Sequence, residues 1–167
     1  MISHQGWDGI REAMNRVKLK EAIDAIERHF ATLRVGQSAQ QEHIFTEEEV
    51  RRYAERYDIL YPGSYLSAQG ELLVPPGMVF MRPAATFGII DTEAPPQARL
   101  GIYTQAHRWY FRPVYVGHRV LFDGEIIDTY ERRGFFYLAV KWAAKDEDGE
   151  VLAKGEEWHT LGFVRKP

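Results

Sequence analysis

The sequence predicts an α+β domain, an antiparallel β-sheet wrapped round a central apolar helix, with an extra N-terminal helix. Three observations predict it. Four long runs rich in aromatic and β-branched residues follow one another through the second half of the chain: 98–111, 119–130, 135–145 and 151–164. Turn signals separate them, Arg133-Gly134 and then Asp146-Glu147-Asp148-Gly149, and Asp-Gly is a strong hairpin signal. A strongly apolar stretch, Leu72 to Ile90, comes just before, with Pro75-Pro76-Gly77 at its front. A meander of four antiparallel strands is expected, and a sheet wrapped round an apolar helix buries both elements. That arrangement is the hotdog fold.

Each element has its own signal. From Asp8 to Thr32 the periodicity is helical. Ile10, Ala13, Met14 and Val17 share one face, and Ala22, Ile23, Ile26, Phe30 and Leu33 continue the stripe. Asp8 is suited to cap this helix. Residues 1–34 therefore read as an N-terminal amphipathic helix, and residues 35–167 as the hotdog domain. The plainer use of the stripe is packing on its own domain; the alternative is a face kept for a partner subunit. Gly36 breaks the pattern, and Gln40 to Phe45 reads as a short strand. Thr46-Glu47-Glu48-Glu49 is a capping box, which opens a helix to about Arg56. Asp58 to Gly70 contains Pro62, Gly63, Ser64, Ser67 and Gly70 and reads as a loop. Prolines suit a first helical turn, so a buried helix is expected from about Gly77 to Ile90, kinked or divided at Pro83. Arg112 to Gly117 connects the first two long strands.

Composition narrows the function classes. The chain has 167 residues, enough for one domain with a real core. Its apolar fraction is 45% and its net charge −3, and the basic residues are not massed in one stretch. Nothing in that balance asks for nucleic acid or an anionic membrane surface. With no cysteine there is no disulfide, thiol nucleophile or Cys-ligated metal. The six histidines form no His-x-x-x-His or similar pair, so neither a metal nor any other cofactor is expected. Ser64 and Ser67 lack the flanking pattern of a nucleophile elbow. Met1 to Gly9 carries no apolar signal region, and no apolar run is as long as a membrane span, so a cytoplasmic protein is expected.

Several motifs resemble one family. Val35-Gly36 through Phe45-Thr46-Glu47-Glu48-Glu49-Val50, then Tyr53-Ala54, resembles the opening of the MaoC-like (R)-specific hydratases and dehydratases. Leu73-Val74-Pro75-Pro76-Gly77-Met78 resembles the start of their central helix. Phe111-Arg112-Pro113-Val114 with Val116-Gly117, and Asp146-Glu147-Asp148-Gly149-Glu150-Val151, resemble later segments. The likeness covers roughly Val35 to Val164. It implies a protein acting on 2-enoyl and (R)-3-hydroxyacyl thioesters, carried on coenzyme A or an acyl carrier protein. It also implies assembly as a homodimer or as a heterodimer with a homologous hotdog subunit. Active members carry an Asp, then Asn-Pro, then a His a few residues on. Here Asp58 matches the Asp, Tyr61 stands where the Asn belongs, and Pro62 matches only with one residue inserted. The His position falls on Gly63 or Ser64. Gly77 matches the glycine whose N–H polarises the thioester carbonyl. The degraded motif is more like the non-catalytic halves of the family.

The chemistry explains the parts. Adding water at the β-carbon needs a base near the water and an acid for the α-carbon. The developing enolate oxygen needs fixed donors, which a helix N-terminus supplies. Asp58, Gly77 and Tyr61 are therefore the candidate site residues. Their plainer roles are a loop aspartate, a glycine for close helix packing and a packed loop tyrosine. His107 and His159 fall on expected strands and can face the acyl cavity; His118 sits in a loop. Three readings stand: a hydratase or dehydratase with an unorthodox second group, a non-catalytic acyl-binding half that needs a partner, or a hotdog thioesterase. The last wants a carboxylate along the central helix, and 78–90 contains none.

Overall fold

A computed structural model describes residues 16–57, 66–82 and 102–162. The elements are α1 (Arg16–Phe30), β1 (Ser38–Ile44), α2 (Glu47–Arg56), α3 (Pro76–Met81), β2 (Tyr103–Tyr110), β3 (Arg119–Arg132), β4 (Phe135–Lys145) and β5 (Val151–Thr160). All strand pairs are antiparallel, in one sheet of order β1-β3-β4-β5-β2.

That order corrects the expected four-strand meander. Only β3, β4 and β5 meander. β2 lies beyond β5 at one edge, and β1 takes the place beside β3. The physical reason lies in the connection after β2, which crosses the sheet and makes no hairpin. Phe111 and Arg112 donate their N–H groups to the Leu152 carbonyl. The Tyr110 hydroxyl accepts from the Val114 N–H at 3.0 Å. Val114 is buried, its carbonyl accepts from the Val74 N–H at 2.8 Å, and the Gly117 N–H reaches the Phe45 carbonyl at 2.9 Å. The chain is thus carried under the entry to α3 and delivered to the far side of the sheet. Gly117 adopts φ +84°, a left-handed conformation that favours glycine.

The capping box at the start of α2 forms as the sequence implies. Glu49 donates its N–H to Thr46 Oγ1 at 3.2 Å, and the Glu49 carboxylate accepts from the Thr46 N–H at 2.8 Å. Such a cap contributes about 1 kcal/mol. The central helix, expected over Gly77 to Ile90, is described as Pro76–Met81 with Arg82 at its C-cap. Residues 83–90 lie outside the described residues, as do 98–101 and 163–164 at the ends of the expected outer strands.

Alternation along β4 builds the core. Phe136, Leu138, Val140, Trp142 and Ala144 are all buried and, at period two, face the same side. Under one end, Val79 of α3 packs with Phe45, Val50, Val74, Val114, Phe122, Trp142 and Leu152. Under the other, Ile26 of α1 and Leu33 pack with Ile126, Phe136, Leu138 and Leu161. The described part of the expected stripe, Ile26, Phe30 and Leu33, is thus used on its own sheet, while residues 8–15 of the expected helix lie outside the described residues. Burying a side chain such as Ile26 stabilises by roughly 2 kcal/mol. Among the described residues no helix is long and apolar enough to cross a membrane.

Candidate functional site

Two of the three candidate residues, Asp58 and Tyr61, lie outside the described residues. The chain is described up to Tyr57, the C-cap of α2. Gly77 lies in the first turn of α3, where the Met78 and Val79 N–H groups turn back to the Pro75 carbonyl. A side chain from α2 reaches this turn. A Cβ built on Gly77 would stand 2.1 Å from the Tyr53 hydroxyl oxygen and 3.2 Å from Cζ. Close packing is therefore one role of this glycine. Tyr53 in turn packs on Tyr57, with ring centroids 4.7 Å apart.

These residues border a groove of about 630 Å³ between α2 and α3, lined by Arg52, Tyr53, Arg56, Tyr57, Met78 and Met81 together with Glu49 and Arg82. The floor is held by an ion-pair network. Arg82 donates to Glu49 at 3.1 Å and to a His43 ring nitrogen at 2.7 Å, and His43 lies 3.3 Å from Glu49. Burial, then the Arg82 charge, pushes the His43 pKa below its ordinary value despite the opposing pull of Glu49. A neutral ring is what lets His43 accept from Arg82. Burial works against ionising Glu49, yet the Thr46 backbone, His43 and Arg82 together hold its carboxyl below the usual range. Arg82 is paired with Glu49 and Arg52 with Glu48 of the same helix, so Arg56 adds the further positive charge, beside apolar methionine and tyrosine surface. Such a lining suits an anionic group attached to an apolar chain.

A second polar cluster lies under the sheet. On β5, Glu157 is 0% exposed, and Arg108 of β2 donates to it from Nε at 2.7 Å. His159 Nε2 is 3.5 Å from the second carboxylate oxygen, and the Tyr103 ring packs 4.0 Å from the His159 ring. Burial opposes ionisation of Glu157, but His159 and Arg108 hold its carboxyl below the usual range. Burial, then the Glu157 charge, pushes the Tyr103 phenol up to about 12. Among the described residues no three His, Asp or Glu side chains are grouped to hold a metal ion.

No family model matches the chain, and no curated protein matches it. Solved structures do. An (R)-hydratase from A. caviae involved in PHA biosynthesis matches with TM-score 0.63 and 20% identity, over 78% of this chain and 98% of that one. The HadBC (3R-hydroxyacyl-ACP dehydratase) complex from Mycobacterium tuberculosis gives TM-score 0.63 at 15% identity, over 77% and 98%. A MaoC-like dehydratase from Rhodospirillum rubrum gives 0.59 at 14%, over 82% and 97%. This chain has the hotdog fold of the MaoC-like dehydratases. At such identities the likeness is one of fold.

Within the hotdog fold the histidines separate cleanly. His107 is exposed on β2, beside Gln105 at 2.7 Å and near the rings of Trp109 and Trp158. His118 is exposed in the crossing connection. His159 is on the helix-facing side, its side chain 13% exposed. Glu157 and Tyr53 are not among the candidates named from the sequence. A signal for each was present. In β5 the small residues Ala153 and Gly155 alternate with Lys154 and Glu156, which points position 157 inward. In α2, Tyr53 follows the buried Val50 by three residues, on the same helical face.

Proposed function

We propose that this chain is a MaoC-like hydratase/dehydratase-type protein that acts on 2-enoyl and (R)-3-hydroxyacyl thioesters carried on coenzyme A or an acyl carrier protein. The observation that carries the reading is the groove between α2 and α3. Arg52, Arg56 and Arg82 stand there beside Tyr53, Tyr57, Met78 and Met81, and Tyr57 is the C-cap of α2. Coenzyme A presents phosphates and an acyl carrier protein is acidic, so either meets complementary charge. In this reading Asp58 holds and activates the water. The Gly77 N–H polarises the thioester carbonyl, and Tyr61 donates a hydrogen bond near the acyl group. No cofactor takes part. The hydratase and dehydratase names of the structurally similar proteins support the reaction class.

The open edges support an assembly. Among the described residues β2 pairs only with β5, and Tyr103, Trp109 and the flanking Ile102 and Phe111 are exposed along it. In our reading two sheets join there, from two copies or from this chain and a homologous hotdog subunit. A non-catalytic, acyl-binding role beside such a partner is the second reading, favoured by Gly63 and Ser64 standing where the family has its His. The cysteine-free composition fits a reducing compartment, and we place the protein in the cytoplasm.

Calorimetric titration with butyryl-CoA and with butyryl-acyl carrier protein tests the core of this. Binding of at least one is expected, weakened by added salt and by Arg56→Glu. Failure of both thioesters to bind would sink the reading.

A further inference from the structure

Two contacts fix how α2 lies against α3. The Tyr53 hydroxyl presses on Gly77 at the start of α3. Glu49, one turn earlier on α2, accepts from Arg82 at the end of α3 at 3.1 Å. The two helices therefore run antiparallel, and the groove between them has two unlike ends. On α2 the residues lining it at four-residue spacing are Tyr57, Tyr53 and then Glu49. On α3 they are Met78, Met81 and then Arg82. Both rows change from apolar or aromatic to charged at the same ion pair. Arg56 belongs to the opposite end, next to Tyr57.

That pair is anchored from below. Arg82 also donates to the His43 ring of β1 at 2.7 Å, and its guanidinium lies 5.9 Å from the centroid of the buried Phe45 ring. The side chains of Glu49 and Arg82 are 34% and 29% exposed, so water still reaches them. A methylene chain laid over the pair would displace that water and return no hydrogen bond, which is unfavourable. Laid along Tyr53, Met78 and Met81, the same chain covers apolar surface, which is favourable. The groove thus favours a hydrocarbon over one stretch and stops favouring it at the Glu49–Arg82 clasp.

Helix geometry gives the length of that stretch. From Gly77 to Arg82 the axis of α3 advances about 7.5 Å, and from Tyr53 to Glu49 that of α2 advances about 6 Å, at roughly 1.5 Å per residue. An extended hydrocarbon advances about 1.3 Å for each C–C bond of about 1.5 Å, so about five bonds fit. We propose that the groove selects thioesters of short acyl chains, about four to six carbons long, and that the Glu49–Arg82 clasp sets the limit. This rests on the thioester reading above, with the carbonyl at Gly77, and adds the length of the acyl group. The carrier then lies toward Arg56, and the acyl tail points toward the clasp.

The test is a chain-length series. Binding of butyryl-, hexanoyl-, octanoyl- and decanoyl-CoA to the full chain is measured by calorimetry, and repeated with the same acyl groups on acyl carrier protein. Each fully buried methylene tightens binding by up to about fourfold, so affinity should rise about three- to tenfold from butyryl to hexanoyl in this half-open groove. From hexanoyl to decanoyl it should change by less than about twofold. Arg82→Met continues the apolar row of α3 and should let octanoyl bind at least about threefold tighter than hexanoyl. Met81→Gln shortens the row and should remove the gain from butyryl to hexanoyl. Met81 is 53% exposed, so this variant keeps the fold even where Arg82→Met does not; circular dichroism checks both. A continued rise to decanoyl in the unaltered protein, or equal binding of all four acyl groups, overturns the limit and leaves the thioester reading standing. A limit that stays in place in both folded variants overturns the assignment to the clasp and the methionine row. If no thioester binds on either carrier, both proposals fall.

Discussion

The Tyr53 hydroxyl occupies the space that a β-carbon at position 77 would need, 2.1 Å from its ideal position. Helix α2 and the first turn of α3 approach this closely because residue 77 is glycine. The relationship gives Gly77 a structural role alongside the proposed one. Gly77→Ala is expected to destabilise the fold by about 1–3 kcal/mol, the usual cost of overpacking. Tyr53→Phe removes the offending oxygen and leaves Cζ, at 3.2 Å, as the nearest atom. The double variant should therefore recover part of the loss, a non-additivity that denaturant unfolding can read. Additive effects of the two changes would mean that the hydroxyl does not press on this turn.

How far the fold was legible depended on how local its signals were. Thr46 and Glu49 form their box because both partners lie within four residues of each other. β3, β4 and β5 were legible because Arg133-Gly134 and Asp146 to Gly149 force hairpins. The place of β2 was not legible. Its edge position is fixed by Val74 meeting Val114 and by Phe45 meeting Gly117, contacts between residues far apart in sequence. The candidate site divides in the same way. Gly77 became a candidate through Pro75-Pro76 and the family resemblance, whereas the alternation of Ala153 and Gly155 gives only the inward direction of Glu157, and its partner Arg108 comes from β2, far away in sequence.

His43 makes stability depend on pH. Its folded pKa is depressed below 6.5 by burial and by Arg82. Unfolding lets the ring bind a proton that the native state resists, so the unfolded state gains as pH falls. The associated stability is complete above 6.5 and is lost as pH drops through the folded value. Groups facing the ring are Glu49, Arg82 and the Phe45 edge. Melting temperature should fall on acidification from about pH 7 toward pH 5, and His43→Gln should flatten that segment of the curve. An unchanged slope in the variant would assign the pH dependence to other groups.

The β2 edge should be covered in solution. An exposed edge strand bearing aromatics is a template for further pairing. Analytical ultracentrifugation is expected to show a dimer, or pull-down to recover a homologous hotdog chain. Trp109→Lys places a charge on the edge strand and should shift the species toward monomer. A stable monomer at micromolar concentration with no partner recovered would count against the assembly.

Turnover separates the two functional readings. Alone, the protein should hydrate short trans-2-enoyl-CoA far more slowly than a relative with an intact Asp and His. Acid–base groups typically contribute about 10²- to 10⁴-fold each, and groups acting on the same water are not additive. Gly63 and Ser64 offer no imidazole. Adding a catalytic hotdog partner should restore the rate if this chain is the binding half. Rapid turnover by the lone chain would instead mean that another group has taken the role. His107 is the weaker substitute, being exposed on the edge strand, while His159 faces the interior beside Glu157. Asp58→Asn should then abolish activity, and His159→Gln should lower kcat while His107→Gln leaves it unchanged. Activity that survives Asp58→Asn would show that water is activated elsewhere, and the assignment of Asp58 would fall with it.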